Sequence, residues 1–260
     1  MSNILKSVLF FVIILYTNVI CAQNIFTAVR TNQRYEVKYH KQIDKIEVNT
    51  TFYNANNTEK KKDIVYLNQE YRVIRQEGFN VEGKMIYNSL IEYKNDTLKT
   101  RTISNRKIPL FGNETQITLY NYDANNHLIN VSKQNHKNEL IEVINFENDE
   151  KGNPILLIIN DGEYGYEKAK YDYVNNTYST VVYNAKHELV SSSEGILLNR
   201  NNLNPNNRYN EFGDIIESKE YFYEYDYDKF GNWIKVYRFK KNGNKKVKMA
   251  LVVRKITYQK

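Results

Sequence analysis

Tyr221-Phe222-Tyr223-Glu224-Tyr225-Asp226-Tyr227-Asp228-Lys229-Phe230-Gly231-Asn232-Trp233-Ile234-Lys235-Val236-Tyr237-Arg238-Phe239 decides the fold. Side chains alternate on both flanks of Asp228-Lys229-Phe230-Gly231, as in two half-buried strands joined by a short reversal. Asp228 is suited to cap a type I turn and Gly231 to take the left-handed position that follows it, the geometry of a three-residue hairpin loop with a bulge. That geometry sets Tyr227 opposite Trp233. Simple continuation predicts Tyr225 opposite Lys235, Tyr223 opposite Tyr237 and Tyr221 opposite Phe239, an aromatic ladder on one face.

The same seven-residue pattern recurs along the chain: an aromatic, Asp or Asn, two free positions, Gly, Asn or His, one free position, then an apolar residue. Its copies are Phe79 to Met85, Tyr122 to Leu128, Tyr183 to Leu189, Tyr209 to Ile215 and Tyr227 to Trp233, and Asn148 to Pro154 lacks only the aromatic. Asn95-Asp96, Asp161-Gly162, Asn175-Asn176 and Asn242-Gly243 add tighter turn signals. Turns every ten to fifteen residues predict an all-β fold, a repetitive antiparallel β-hairpin meander of a dozen to fourteen strands in an open or partly curled sheet. Ser104 to Thr115 and Ser191 to Arg208 read as longer loops, the second a potential break between two lobes near 191–208.

The composition agrees: 23 Tyr and 11 Phe against 1 Trp, with 37 Asn, 10 Gly and 3 Pro in 260 residues. Tyrosine favours strands and asparagine favours turns. Residues 1–22 read as a signal peptide, with Lys6 as the basic part, Val8 to Tyr16 as the apolar stretch and Thr17 to Gln23 as the cleavage region. A single β domain over 23–260 and an exported destination follow, in the periplasm, at the cell surface or secreted. The apolar stretch is shorter than the roughly 20 residues of a membrane span. Cys21, the one cysteine, falls inside this signal; Ile20 and Asn18 before it depart from a lipoprotein signal, so lipidation is the weaker reading.

The net charge of +7 is unevenly placed. Eleven Lys and Arg follow Asp228 with no acid, whereas Tyr209 to Asp228 carries seven acids and one Lys. Hairpin pairing of the two stretches points to internal neutralisation and away from nucleic-acid binding.

Tyr223-Glu224-Tyr225-Asp226-Tyr227-Asp228-Lys229-Phe230-Gly231-Asn232-Trp233, with Tyr120-Asn121-Tyr122-Asp123 and Arg208-Tyr209-Asn210-Glu211-Phe212-Gly213-Asp214, resembles the YD repeats of bacterial rearrangement-hotspot (RHS) proteins. The resemblance is clearest over 208–239, fainter over 79–190 and absent before about 70. It implies long β-hairpins coiled side by side into a shell, with motif residues that are structural. The repeats here are few and irregular and no terminal cargo domain follows, so an open or partly curled sheet is expected in place of an enclosed chamber.

Chemistry-bearing constellations are sparse. His40, His127, His136 and His187 lack metal-ligand spacing, and no nucleophile elbow or phosphate-cradling loop occurs. The expectation is a non-enzymatic binding or envelope-structural protein, with no catalytic residue, cofactor or metal. Two rivals stay open: an exported hydrolase of glycans using scattered carboxylates, and a carrier of a small molecule or lipid inside a curled sheet. Tyr221, Tyr223, Tyr225, Tyr227, Trp233, Tyr237 and Phe239 are either a packed ladder or a surface that stacks on sugar rings. A cell-surface glycan or another envelope protein would be the partner, and open sheet edges would permit self-association.

Overall fold

The computed structural model describes residues 24–38, 40–54, 57–108, 112–197, 204–243 and 245–259. The expected signal peptide and Cys21 lie outside them. Among the described residues one short α-helix, α1 (Ile25–Val29), precedes seventeen strands: β1 (Ile43–Tyr53), β2 (Thr58–Leu67), β3 (Val73–Phe79), β4 (Met85–Lys94), β5 (Leu98–Ile108), β6 (Gly112–Tyr122), β7 (Leu128–Asn135), β8 (Leu140–Asn148), β9 (Pro154–Ile159), β10 (Tyr166–Asp172), β11 (Thr177–Tyr183), β12 (Leu189–Ile196), β13 (Arg208–Tyr209), β14 (Ile215–Glu217), β15 (Tyr221–Tyr227), β16 (Trp233–Asn242) and β17 (Lys245–Tyr258). No helix among the described residues is long and apolar enough to cross a membrane.

All the strands belong to one antiparallel sheet. Sequential strands pair from β1 to β12 and from β13 to β17, and β1 lies between β2 and β17, with Ile46 opposite both Val65 and Ile256. The first and last strands therefore join in mid-sheet, and β12 and β13 are the two edges. The sheet is not closed into a barrel. An odd number of strands cannot complete a ring in which every neighbour is antiparallel.

Eight hairpins share one turn. Asn68, Asn80, Asp123, Asn135, Asp149, Asn184, Asn210 and Asp228 each accept, through Oδ1, the backbone N–H groups two and four residues on. The third residue after each has positive φ, from 57° at Tyr71 to 80° at Gly213. Side-chain capping and a left-handed residue thus satisfy the reversal locally. All six expected copies are present, and Leu67 to Val73 and Gln134 to Leu140 are two more.

Each turn is followed by a bulge. Tyr227 pairs with Trp233 as expected, but the next pair is Asp226 with Lys235, leaving Ile234 unopposed. The other seven turns skip Ile74, Ile86, Ile129, Ile141, Ile155, Val190 and Ile216 in the same way. Every skipped residue is a β-branched aliphatic. The bulge corrects the expected register: Tyr225 faces Val236, Tyr223 faces Arg238, Tyr221 faces Lys240, and Phe239 faces Phe222. The loop expected over Ser104 to Thr115 is also shorter than predicted, because β5 and β6 remain paired out to Ile108 and Gly112.

The segment from Ile25 to Lys38 crosses one face of the sheet as a strap. Ile25 and Ala28 are buried with Leu128, Val131, Ile144, Phe146 and Leu157. Tyr35 and Val37 pack on Ile43, Ile46, Val65 and Leu67. Ile25 N–H donates to Glu167 of β10 at 2.9 Å, and Lys38 N–H donates to Asn232, in the β15–β16 turn, at 2.6 Å. Those anchor points are eleven strand spacings apart, roughly 53 Å on a flat sheet at ~4.8 Å each. One helical turn plus extended chain from 25 to 38 reaches only about 37 Å. The sheet must therefore curl around the strap, and the face that the strap covers is concave.

Candidate functional site

The turn chirality places aromatic residues in a pattern. Adjacent hairpins of a meander point in opposite directions, so a turn of one hand sends its first and seventh residues to opposite faces at the two ends of the sheet. At the strap end these pairs face inward: Leu67 and Val73 are in or against the core, Leu128 is buried, and Trp233 meets Arg254. At the other end the seventh residues are exposed, with Met85 at 40%, Leu140 at 60% and Leu189 at 64%.

On the inner face Tyr221, Tyr223, Tyr225 and Tyr227 form a column with ring centroids 5.9 to 6.4 Å apart. Trp233 sits edge-on to Tyr225 at 6.4 Å, and Phe212 stacks on Tyr227 at 4.1 Å. The bulge sends Tyr237 and Phe239 to the outer face, where they contact each other at 6.1 Å. Five of the seven singled-out aromatics are thus brought together, and two are separated from them. All seven are half-buried.

The hydroxyls distinguish the two ends of the column. Tyr225 donates to the Ile215 carbonyl at 3.2 Å, and Tyr227 donates to Asp214 at 2.7 Å while accepting from Asn210 Nδ2 at 2.6 Å. The same device recurs: Tyr93 donates to the Val73 carbonyl and Tyr171 to the Pro154 carbonyl, each at the seventh residue of a neighbouring turn. Tyr173 and Tyr258 donate to Asp149 and Asp228, and accept from Asn153 and Asn232. A bulge leaves its carbonyl out of the ladder, and a tyrosine from the next hairpin supplies the donor. Burial, as the largest cause, pushes the Tyr93 and Tyr173 hydroxyls up to about 12 and raises those of Tyr225 and Tyr227 as well. Tyr221 and Tyr223, at the far end of the column, have no hydroxyl partner among the described residues.

Beside the capped end, Glu36, Lys38, His40, Phe212, Asp214 and Trp233 line a groove between the strap and two turns. Arg254 lies 3.1 Å above the Trp233 ring centroid with Tyr35 5.5 Å from it, and donates to the Glu36 carbonyl. Burial lowers its pKa from the ordinary arginine value. Its stacking locks Trp233, so this groove is a joint of the fold. No group of three or more His, Cys, Asp or Glu that could hold a metal ion occurs among the described residues.

The acid-rich and base-rich stretches pair as expected, though by other contacts. Asp226 meets Lys235 at 3.1 Å, Glu224 meets Lys246 at 3.1 Å, and Glu217 meets Lys241 at 2.8 Å.

Taken together, fold and site define an all-antiparallel, curled, meandering β-sheet protein organised by bulged Asx hairpins. No family model matches the chain, and no curated protein matches it. Solved structures similar to it include a porin-like protein from Bacteroides uniformis, 14% identical over 83% of this chain and 96% of that one, with a TM-score of 0.30. Another is TcdB2-TccC3, 11% identical over 78% of this chain and 15% of that one, with a TM-score of 0.33.

Proposed function

We propose that this chain is a non-enzymatic exported protein of the YD-repeat type, with a binding or structural role in the cell envelope. The observation that carries this reading is how the polar side chains are used. All eight Asx carboxylates and amides are committed to turns, and seven tyrosine hydroxyls (Tyr93, Tyr122, Tyr171, Tyr173, Tyr225, Tyr227 and Tyr258) donate to turn carboxylates or backbone carbonyls. Such groups hold a scaffold and are not free to act as acids or bases. Tyr221 and Tyr223, whose hydroxyls have no partner among the described residues, are the part of the column we assign to ligand contact, beside the Arg238 guanidinium 5.3 Å from the Tyr221 ring centroid, with a glycan of the cell surface as partner.

A carrier of apolar molecules is disfavoured by the concave face, where Asp63, Gln76 and Tyr87 form a hydrogen-bonded polar group and Ser89 bonds Ser104. The test is a glycan array and an envelope pull-down with the native chain and with Tyr221→Ala/Tyr223→Ala. Retained melting with lost glycan binding supports the assignment. Glycan cleavage that disappears on replacing one carboxylate would overturn it in favour of a hydrolase.

A further inference from the structure

The end of the sheet away from the strap differs in kind from the strap end. Val81 is 71% exposed, Tyr164 68%, Leu189 64%, Val190 61%, Leu140 60% and Ile141 54%, and all six lie in or beside turns of this end. They come from four separate loops or strand starts spread along the sheet. The bulged turn accounts for Leu140 and Leu189: at this end its seventh residue points outward, so a side chain that would be core at the other end meets solvent. Six strongly exposed apolar residues gathered at one end, against Val174 at the other, mark an interaction surface.

The same end is basic across β16, β17 and β2. Lys240, Lys245, Lys248 and Lys60 are exposed and make no ion pair with a described residue, in contrast to Lys241 and Lys246. On the outer face the ammoniums lie over aromatic rings: Lys248 is 4.5 Å from the Tyr237 centroid and 4.6 Å from that of Tyr53, and Lys246 is 4.9 Å from that of Phe222. The exposed Glu139 and Glu188 of the apolar turns accept from Asn135 Nδ2 and Asn184 Nδ2. Apolar tips, together with lysines and half-buried aromatics on other strands of the same end, supply the groups that a bilayer interface takes, where aliphatic groups enter the acyl boundary and ammoniums meet phosphates.

From this arrangement we propose that the strap-distal rim docks on the surface of an anionic lipid bilayer, peripherally and without spanning it. Lipid is favoured over an acidic polymer because exposed aliphatic side chains offer a polymer nothing to complement, whereas an end carrying both classes of group fits a membrane. The inference is independent of the glycan assignment, which concerns the inner face.

Flotation of the purified chain with vesicles tests it. Phosphatidylcholine vesicles should bind weakly and vesicles with about a third phosphatidylglycerol strongly, with the charge-dependent part weakened by salt. Leu140→Ser/Ile141→Ser/Leu189→Ser/Val190→Ser should lower partitioning at least tenfold, and Lys245→Glu/Lys248→Glu likewise, with circular dichroism and melting unchanged because these side chains are exposed. Val174→Ser, at a still more exposed apolar residue at the strap end, should leave partitioning unchanged. Absence of binding to anionic vesicles would overturn the proposal. So would apolar variants that bind as well as the native chain while soluble polygalacturonate competes, which marks an acidic polymer, or variants that only convert a dimer to a monomer, which marks a second copy.

Discussion

Removing the Asp228 carboxylate should destabilise the β15–β16 hairpin by about 3 kcal/mol. Oδ1 accepts the N–H groups of Phe230 at 2.9 Å and Asn232 at 3.0 Å, and Oδ2 accepts the Tyr258 hydroxyl. Hydrogen bonds to a charged acceptor contribute about 1.5–3 kcal/mol each when buried. Asp228 is only half-buried, so the lower end, and partial rehydration of Phe230, suit the two backbone bonds. Asn232 is 2% exposed and its amide also holds Lys38 of the strap and Tyr258 of β17. Loss of the turn cap therefore loosens three elements at once. Urea unfolding of Asp228→Ala, followed by the fluorescence of Trp233, reads the site directly because Trp233 is the one tryptophan. For a domain of this size about 3 kcal/mol corresponds to roughly 6–12 °C in melting temperature. Asp228→Asn, which keeps the Oδ1 acceptor, should cost about 1 kcal/mol. In a double-mutant cycle, Asp228→Ala and Tyr258→Phe should fall short of additivity by about 1 kcal/mol. A loss below about 0.5 kcal/mol for Asp228→Ala, or strict additivity, would show that the turn is set by its neighbours and not by its own cap.

Tyr225→Phe and Tyr171→Phe each remove one donor to a bulge carbonyl and should cost about 1 kcal/mol in chemical denaturation, whereas Tyr223→Phe should be neutral. Ile25→Ala, at a fully buried strap position, should cost about 3 kcal/mol and raise hydrogen exchange in β9 and β10. Glu167 has its pKa raised above 4.5, chiefly by burial, so the folded state binds its proton more tightly than the unfolded state does. Its contribution is most favourable below pH 4.5 and is lost as pH rises through the folded pKa; Glu167→Gln, which can still accept from Ile25 N–H, should remove this slope and be at least as stable as the native chain at pH 7.

Much of the local architecture was legible because the turn is closed within seven residues. Asx at the second position and a residue tolerant of positive φ at the fifth carry the hydrogen bonds themselves, so the pattern located six of the eight turns. The two missed turns begin with Leu67 and Gln134, neither aromatic, and the first also carries Tyr71 at the fifth position, where the pattern wants Gly, Asn or His. Asn135 and Asn138 already satisfied the other conditions. The bulge was legible too: an Ile or Val stands at the eighth position of every copy, and reading one residue further would have corrected the ladder that placed Tyr237 and Phe239 beside Tyr223 and Tyr221.

Sequence alone determined the meander, its turns and the commitment of Asx residues to them, since these depend on hydrogen bonds between near neighbours. Tertiary structure decided which end of each hairpin is buried, how β1 enters between β2 and β17, and that residues 25–38 line the concave face. Those outcomes rest on contacts such as Ile25 with Glu167 and Lys38 with Asn232, separated by 142 and 194 residues. No short pattern encodes such pairings, because the interaction exists only after the intervening strands have formed a sheet and curled.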